Sequence, residues 1–306
     1  MNRIQQILSK AERDGTARRV GALVEPKRGE PDDLPVREPL APVVMLPREE
    51  TRRARDEDRA NAAPTLDEPF EAVSYLEPSP AAHVSATATL HPILVAALEP
   101  MSAAAEQYRS LRSRIAQAEN GHALRAIQIT SPGKNDGKTV TTLNLALTMA
   151  QEFQRRVLVI DGDLRQPGVH TLLGLAPGPG LVDVLTGAAA LHDALVEIPE
   201  HHLTVLRAGR AYERPAEMLG SGPMRHLVDT LRSEFDRMVI DSAPAMVADP
   251  GAIAPLVDGL LLVVRASTTT KPAIAHAIST LASPKLLGLV FNESAAPQQG
   301  QYAPSA

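Results

Sequence analysis

The sequence predicts an α/β fold with a mostly parallel central sheet flanked by helices, preceded by a largely disordered N-terminal extension. Apolar strand candidates alternate with helical segments from about residue 100 onward, and acidic or glycine-containing turns follow several strands. The first 85 residues instead combine proline with charge. Strands that alternate with helices pair in parallel, because each helix returns the chain to the end of the sheet where the next strand begins.

Apolar runs and helical periodicity place the individual elements. A continuous apolar run such as Val157–Ile160 is typical of a central parallel strand, which is covered on both faces. The helix after Lys138 carries Leu143 and Leu147 on one face. The strand candidates are 126–130, 157–161, 203–207, 237–241, 260–264 and 286–291, and the helix candidates are 102–118, 138–152, 223–234 and 271–282.

Composition divides the chain into three parts: an extension at 1–85, a compact domain at 86–292 and a flexible tail at 293–306. The extension is rich in proline and carries a mixed-sign charged run at 52–59. Such a segment buries too little apolar area to offset the entropy of ordering, so we expect it to be mostly disordered. Its first residues have the spacing of a short amphipathic helix, which would dock on a partner or a membrane surface, or simply fray.

The overall composition excludes several classes of protein. The 306 residues include no cysteine, which excludes disulfides and metal–thiolate sites and is compatible with the cytoplasm. A net charge of -5 and 3% aromatic residues argue against nucleic-acid binding. The start of the chain lacks the apolar core of a signal peptide, and no apolar run approaches the roughly 20 residues of a membrane span.

The loop between the strand at 126–130 and the helix at 138–152 has the composition of a phosphate-binding loop. It reads Ser131-Pro-Gly-Lys-Asn-Asp-Gly-Lys-Thr139 and joins a buried strand to a helix. In such loops, backbone N–H groups cradle the phosphates, the lysine reaches the outer phosphates and the hydroxyl binds Mg²⁺. The candidate nucleotide-binding residues here are Ser131, Gly133, Lys134, Asn135, Asp136, Gly137, Lys138 and Thr139.

The loop departs from the common pattern at its start. The first glycine of the motif is expected at Pro132 and stands instead at Gly133. Asn135 tolerates a left-handed backbone, so the loop can still turn. The carboxylate of Asp136 would repel the phosphates unless its side chain points to solvent. A plain turn that caps a helix is the alternative interpretation of the segment.

Acidic residues follow two of the predicted strands. Asp161 and Asp163 come directly after the apolar run at 157–160, and Asp241 follows the apolar run at 238–240 in the manner of a Walker B aspartate. Ligands of open α/β sheets bind at the carboxyl ends of the strands. Carboxylates there can hold Mg²⁺ or accept a proton from an attacking hydroxyl, although solvated loop aspartates are the simpler alternative.

The order of these landmarks resembles the bacterial tyrosine kinases, the cytosolic autokinases of capsule and exopolysaccharide synthesis in the P-loop NTPase superfamily. The resemblance covers about residues 95–292. It rests on the segments 161–175, 180–187, 215–219 and 255–264, and on the helix motif Glu106-x-x-Arg109-x-x-Arg112. The phosphate loop differs from the usual Pro-Gly-Glu-Gly-Lys sequence of the family.

The resemblance implies a role for each matching residue. It implies that Lys138 binds the β- and γ-phosphates of ATP, that Thr139 ligates Mg²⁺ and that Asp161 is the base for a tyrosine hydroxyl. Asp163 and Asp241 would complete the metal and water network. The remaining implied residues are Arg165 near the phosphates, Asn292 at the adenine, and Glu106, Arg109 and Arg112 in contacts between subunits of a ring.

The function that the resemblance implies is that of a Mg²⁺- and ATP-dependent protein-tyrosine autokinase that regulates polysaccharide polymerisation and export. A separate membrane-bound polysaccharide co-polymerase would activate it and hold it at the inner face of the cell membrane. Among 4 tyrosines, Tyr302 in the tail is the first candidate acceptor and Tyr75 the second. The alternatives are a partitioning or positioning P-loop ATPase without kinase activity, and a non-catalytic nucleotide-binding scaffold.

Overall fold

The computed structural model describes residues 84–119, 121–152, 155–281 and 285–293, which contain one eight-stranded sheet. The predicted disordered extension up to residue 83, its terminal helix, Tyr75 and Tyr302 lie outside these residues. Within the described part of the chain, no helix is long and apolar enough to cross a membrane.

The sheet is mostly parallel, as the sequence predicts. Its strands are β1 (Val84–Ser85), β2 (Ala126–Thr130), β3 (Val157–Gly162), β4 (Leu195–Ile198), β5 (Leu203–Leu206), β6 (Arg237–Ser242), β7 (Gly259–Arg265) and β8 (Leu286–Asn292). They lie in the order β1-β4-β5-β3-β6-β2-β7-β8. Only the β4–β5 pair is antiparallel. The predicted α/β class is confirmed.

Helices connect these strands and cover both faces of the sheet. They are α1 (Val95–Leu98), α2 (Ala103–Ala118), α3 (Lys138–Ala150), α4 (Val169–Leu172), α5 (Leu181–Leu185), α6 (Leu191–Ala194), α7 (Pro215–Leu219), α8 (Gly222–Glu234), α9 (Asp249–Ile253) and α10 (Lys271–Leu281). The four longest correspond to the four predicted helices within two residues at each end. Short 3₁₀ turns at Pro199–His201 and Ala254–Leu256 complete the set for the described residues.

All six predicted strands are present, and β1 and β4 are additional. β4 was not predicted because it is only four residues long and its apolar pattern is interrupted by the exposed Glu197. β1 has two exposed residues, so it carries no apolar signal; it pairs with β4 at the edge of the sheet. The sheet therefore begins at Val84, two residues before the predicted start of the domain.

The side chains of the central strands alternate between two hydrophobic cores. Leu158 and Ile160 of β3 pack on one face with residues of α5 to α9. Val157 and Val159 pack on the other face with residues of α1 to α4. Side chains of successive strand residues point to opposite faces, so a strand that is apolar throughout needs helices on both sides.

The register of the strands brings the polar residues of the sequence motifs to one edge. Asp161 of β3 pairs in register with Asp241 of β6, and Asp241 pairs on its other side with Ile129 of β2. Because these strands are parallel, the phosphate loop after β2 and the acidic ends of β3 and β6 lie next to one another. The same edge receives the N-terminus of α3, which begins at Lys138.

Candidate active site

The phosphate loop is shaped by a left-handed residue at the start of α3. Gly137 is the N-cap of this helix and has a φ of 95°, and Asn135 has a φ of 62°. A Cβ atom at Gly137 would lie 2.0 Å from the side-chain nitrogen of Asn292. That Asn292 nitrogen donates a 3.1 Å hydrogen bond to the carbonyl of Asp136. A glycine is therefore required at 137 for both its φ and the close approach of Asn292.

The side chain of Asp136 supports the loop from within the protein. Asp136 is only 4% exposed, and one carboxylate oxygen accepts a 2.8 Å hydrogen bond from the backbone N–H of Gly133. The other oxygen accepts a 3.0 Å hydrogen bond from the Thr269 hydroxyl. The expectation that this carboxylate would face either the phosphates or solvent is wrong, because two donors inside the protein hold it there.

Lys138 lies among the carboxylates at the strand ends. Its ammonium nitrogen is 2.6 Å from a carboxylate oxygen of Asp163 and 3.8 Å from Asp241. It also donates a 3.2 Å hydrogen bond to the Thr139 hydroxyl. Burial alone would lower the pKa of Lys138, but the carboxylates of Asp241 and Asp163 outweigh it and raise the pKa. Lys138 is therefore charged in this site at neutral pH.

Asp241 is held by two hydroxyl groups from the first turns of α3. The Thr139 hydroxyl donates to one carboxylate oxygen at 2.7 Å, and the Thr142 hydroxyl donates to the other at 3.2 Å. Thr142 was not singled out from the sequence. Its position one helical turn after Lys138 and Thr139 is the signal that could have identified it, because residues three and four apart share a helix face.

The two carboxylates that follow β3 organise the turn into α4. Asp161 accepts hydrogen bonds from the backbone N–H groups of Asp163 at 3.3 Å and Val169 at 3.2 Å. Asp163 accepts one from the backbone of Gln166 at 3.0 Å and uses its other oxygen for Lys138. Neither aspartate is more than 1% exposed. The simpler alternative of solvated loop aspartates therefore does not describe this structure.

Burial and mutual repulsion change the acidity of this cluster. Burial, together with the nearby charge of Asp241, raises the pKa of Asp161 to about 8. Burial also raises the pKa of Asp241, although Lys138 and the two threonine hydroxyls act in the opposite direction. A cluster of three buried carboxylates with one lysine cannot be fully ionised at low cost, so it holds a proton at neutral pH.

The donor set fits Mg²⁺ bound together with phosphate oxygens. Among the described residues, no three His, Cys, Asp or Glu side chains converge into a metal cage. Mg²⁺ does not require one, because it commonly uses one or two protein oxygens and takes phosphate oxygens and waters for the rest. The adjacent Thr139 hydroxyl and Asp241 carboxylate, beside the phosphate loop, are oxygen donors of this kind.

Arg165 is paired with a residue that the sequence did not indicate. Its guanidinium makes two hydrogen bonds, of 2.7 and 3.1 Å, to the carboxylate of Asp249 at the start of α9. Asp249 is fully buried, whereas the Arg165 side chain is 46% exposed. The predicted place of Arg165 at the phosphates stays a prediction; in this structure it connects the turn after β3 to α9.

The helix motif on α2 makes contacts within the chain. Glu106 and Arg109 form a 2.7 Å ion pair, and Arg109 also donates to the carbonyl of Pro100. Arg112 donates to the carbonyl of Thr148 on α3 and lies 3.3 Å from Glu152. The Glu106 side chain is 66% exposed, so it is the member of the motif most open to a neighbouring subunit.

Comparison with known proteins points to one group of enzymes. The chain is 35% identical over 212 residues to the tyrosine-protein kinase YwqD of Bacillus subtilis. This match covers 68% of this chain and 89% of YwqD. It is also 30% identical over 207 residues to the putative tyrosine-protein kinase CapB of Staphylococcus aureus. That match covers 67% of this chain and 90% of CapB. No protein-family model matches the chain.

A solved structure agrees with these relatives. The kinase domain of the Escherichia coli tyrosine kinase ETK superposes with a TM-score of 0.63 at 26% identity, and the match covers 69% of this chain and 84% of that domain. Other relatives are much longer than the matched region. The succinoglycan biosynthesis transport protein ExoP of Rhizobium meliloti is 32% identical over 210 residues, but the match covers only 27% of it.

Replacing Asp161 with Asn should change how stability depends on pH. The folded protein holds a proton on Asp161 up to a pKa of about 8, whereas the unfolded chain releases it near 3.8. The folded state therefore loses stability as pH rises from about 4 to about 8. We expect the melting temperature of Asp161→Asn, relative to the parent chain, to increase by several degrees between pH 5 and pH 8. Thermal unfolding at both pH values, with the exposed Asp229→Asn as control, measures this; a difference that is independent of pH would contradict it.

Replacing Asp136 with Ala should weaken nucleotide binding. The change leaves the Gly133 N–H and the Thr269 hydroxyl without their acceptor, so the loop is no longer held in its binding shape. We expect the dissociation constant of an ATP analogue to rise about tenfold, which corresponds to about 1.4 kcal/mol. Fluorescence anisotropy measures it, with Asp229→Ala as control. Tighter binding would instead show that the carboxylate acts by repelling the phosphates.

Proposed function

The chain belongs to the bacterial tyrosine-protein kinases, and from this premise we propose that it transfers the γ-phosphoryl group of ATP to tyrosine, including tyrosines of its own chain. The observation that carries the proposal is the contact of Lys138 with Asp163 and Asp241 at the end of a phosphate loop. A kinase of this superfamily needs a lysine that can move onto the outer phosphates and carboxylates beside the reacting group.

The reaction joins the tyrosine oxygen to the γ-phosphorus. The bond between this phosphorus and the oxygen that bridges it to the β-phosphate breaks, and ADP leaves with the electron pair. The hydroxyl proton passes to a carboxylate, for which the ionised form of Asp161 is our candidate. Asp161 must therefore release its own proton before the transfer. Asp161 has no exposed surface and is held by Val169, so the turn at 163–169 must open for the hydroxyl to reach it.

The phosphate loop and Lys138 hold the nucleotide. Backbone N–H groups of the loop and of the first turn of α3 bind the phosphates, favoured by the positive end of the helix dipole. Lys138 leaves Asp163 and neutralises the β- and γ-phosphate oxygens, and Ser131, Lys134, Asn135 and Arg165 supply the remaining contacts. Asn292 lies against Gly137, and in this proposal it would meet the base.

Thr139, Asp163 and Asp241 would hold Mg²⁺, directly or through water. When bound, the ion neutralises charge on the phosphate oxygens and orients them for in-line transfer. The hydrogen bond between the Thr139 hydroxyl and Asp241 keeps these two oxygen donors together.

The acceptor tyrosine is expected outside the described residues. Of the two described tyrosines, Tyr108 shares a side-chain hydrogen bond with Thr141, and burial raises its pKa. Tyr212 is half-buried and packs against the hydrophobic core. Tyr302 and Tyr75 are therefore the acceptor candidates.

A role in the regulation of polysaccharide polymerisation and export follows from the relatives. ExoP is named as a succinoglycan biosynthesis transport protein and matches this chain over about a quarter of its own length. YwqD and CapB, in contrast, match over nearly their whole lengths. We propose that a polysaccharide co-polymerase in the membrane, as a separate chain, activates this kinase at the inner face of the cell membrane. Glu106, Arg109 and Arg112 would then contact neighbouring copies in an oligomer.

Incubation of the purified chain with γ-labelled ATP and Mg²⁺ tests the kinase function. We expect label on tyrosine, stimulated by the cytosolic tail of the partner. Lys138→Ala should reduce labelling by about a hundredfold or more, because it removes charge neutralisation from the transferred group. The exposed Arg225→Ala is the matched control and should label as the parent does. Release of free phosphate without labelled protein would identify a partition-type ATPase, and nucleotide binding without turnover would identify a scaffold.

A further inference from the structure

A cavity of about 360 Å³ lies beside the active site and is not used by the roles described above. Residues of the turn into α4, of the segment before α5 and of the chain after β5 line it, including Pro167, His170, Gly178, Asp183, Arg207 and Arg210. No residue of the phosphate loop belongs to its wall. The cavity is therefore separate from the place where the phosphates of ATP are bound.

Arg207 is buried in this wall with part of its hydrogen-bonding capacity unused. The residue is 9% exposed, and one terminal nitrogen donates a 2.7 Å hydrogen bond to the carbonyl of Ala176. Its Nε–H has no partner. A Cβ atom at Gly178 would lie 2.7 Å from the other terminal nitrogen, so the guanidinium packs on the Gly178 backbone. A buried cation with an unused donor is costly unless a ligand supplies an acceptor.

The acidic group nearest to Arg207 is already engaged elsewhere. Asp183 accepts hydrogen bonds from the backbone N–H groups of Gly180 at 3.0 Å and Arg210 at 3.3 Å. Its carboxylate also lies 3.5 Å from the Arg210 guanidinium. Two guanidinium groups and one carboxylate leave a net positive charge on the wall. An anionic group therefore suits the cavity.

The cavity is joined to the catalytic carboxylates through the turn into α4. The backbone N–H of Val169 donates to Asp161, and the next residue, His170, lines the cavity. On the other side of the same turn, a Cβ atom at Gly168 would lie 3.4 Å from Thr139. A ligand in the cavity therefore lies next to the reacting groups while the nucleotide is held by the loop. In a kinase, the second substrate is the segment that carries the acceptor tyrosine.

We propose that the Arg207 cavity binds a carboxylate of the acceptor segment and so selects tyrosines with acidic neighbours. This inference rests on the proposed kinase function. In this chain it favours Tyr75, which stands between Glu71 and Glu77, over Tyr302, because residues 294–306 contain no acidic side chain. The planar guanidinium of Arg207, which lines the cavity, can form paired hydrogen bonds with such a carboxylate.

Two synthetic peptides and three variants test the proposal. The acidic peptide has the sequence of residues 69–79, whose acidic side chains are Glu71 and Glu77, and the amide peptide replaces both with Gln. Arg207→Met should raise KM for the acidic peptide about tenfold or more, with little change in kcat, and leave the KM of the amide peptide unchanged. Arg207→Lys should restore part of the preference, and the exposed Arg225→Gln should change neither value.

A fourth variant, Gly178→Ala, distinguishes a loss of binding from a folding defect. Gly178→Ala keeps the charge but displaces the guanidinium, so it should also raise the KM of the acidic peptide alone. Melting temperatures confirm that each variant is folded. An equal effect on both peptides, or no effect on either, would overturn the proposal.

Binding measurements separate this proposal from the kinase function. The two peptides with phenylalanine in place of Tyr75 are compared by fluorescence anisotropy, with a non-hydrolysable ATP analogue present. If the acidic peptide binds more tightly and this preference is lost in Arg207→Met, the cavity proposal is supported even when no peptide is phosphorylated. The absence of phosphorylation would then count against the kinase function alone. The cavity proposal would be contradicted if both peptides bound equally well and inorganic phosphate displaced neither of them or both to the same extent. In the full chain, Tyr75→Phe should remove most of the label; loss of label in Tyr302→Phe instead would also overturn it.

Discussion

The site depends on one shared ion contact, in which the partly buried Lys138 meets the buried carboxylates of Asp163 and Asp241. The lysine stands at the start of α3 because Gly137 adopts a left-handed backbone there. Asp161 and Asp241 stand at one level because β3 and β6 are parallel and in register, and Asp163 follows directly after the end of β3. Helix start, strand register and charge balance therefore support one another, and a shift in any of them would leave buried charge without its partner.

The buried carboxylates of this site lower the stability of the fold. Three buried carboxylates repel one another, and burial raises the pKa of Asp161 to about 8 and also raises the pKa of Asp241. A single lysine neutralises only part of that charge. The protein tolerates the remainder because the two large hydrophobic cores on either side of the sheet stabilise the surrounding strands. When Lys138 moves onto the phosphates during turnover, its contact with Asp163 would be lost and the turn into α4 would loosen. This turn connects Asp161 to the Arg207 cavity.

The sequence allowed prediction of those parts of the molecule that depend on local pattern. The central strands and long helices were predicted because their apolar periodicity is continuous, whereas β4 was missed because Glu197 interrupts a short run. The acidic strand ends could be placed at one edge of the sheet because the carboxyl ends of parallel strands lie at the same edge. The orientation of Asp136 could not be predicted, since its partner Thr269 lies 133 residues away. The burial of Arg207 likewise depends on a glycine from a different segment, Gly178, and on packing that no local pattern reveals.

The carboxylates around Lys138 are buried, and they share a proton before nucleotide binds. Carboxyl ¹³C NMR of the aspartate-labelled protein, titrated between pH 4 and pH 9, measures this directly. The structure predicts one aspartate signal with an apparent midpoint of about 8, which is absent in Asp161→Asn. If every aspartate instead titrated near its ordinary pKa of about 4, the carboxylates would be solvated and the account of the site would be wrong.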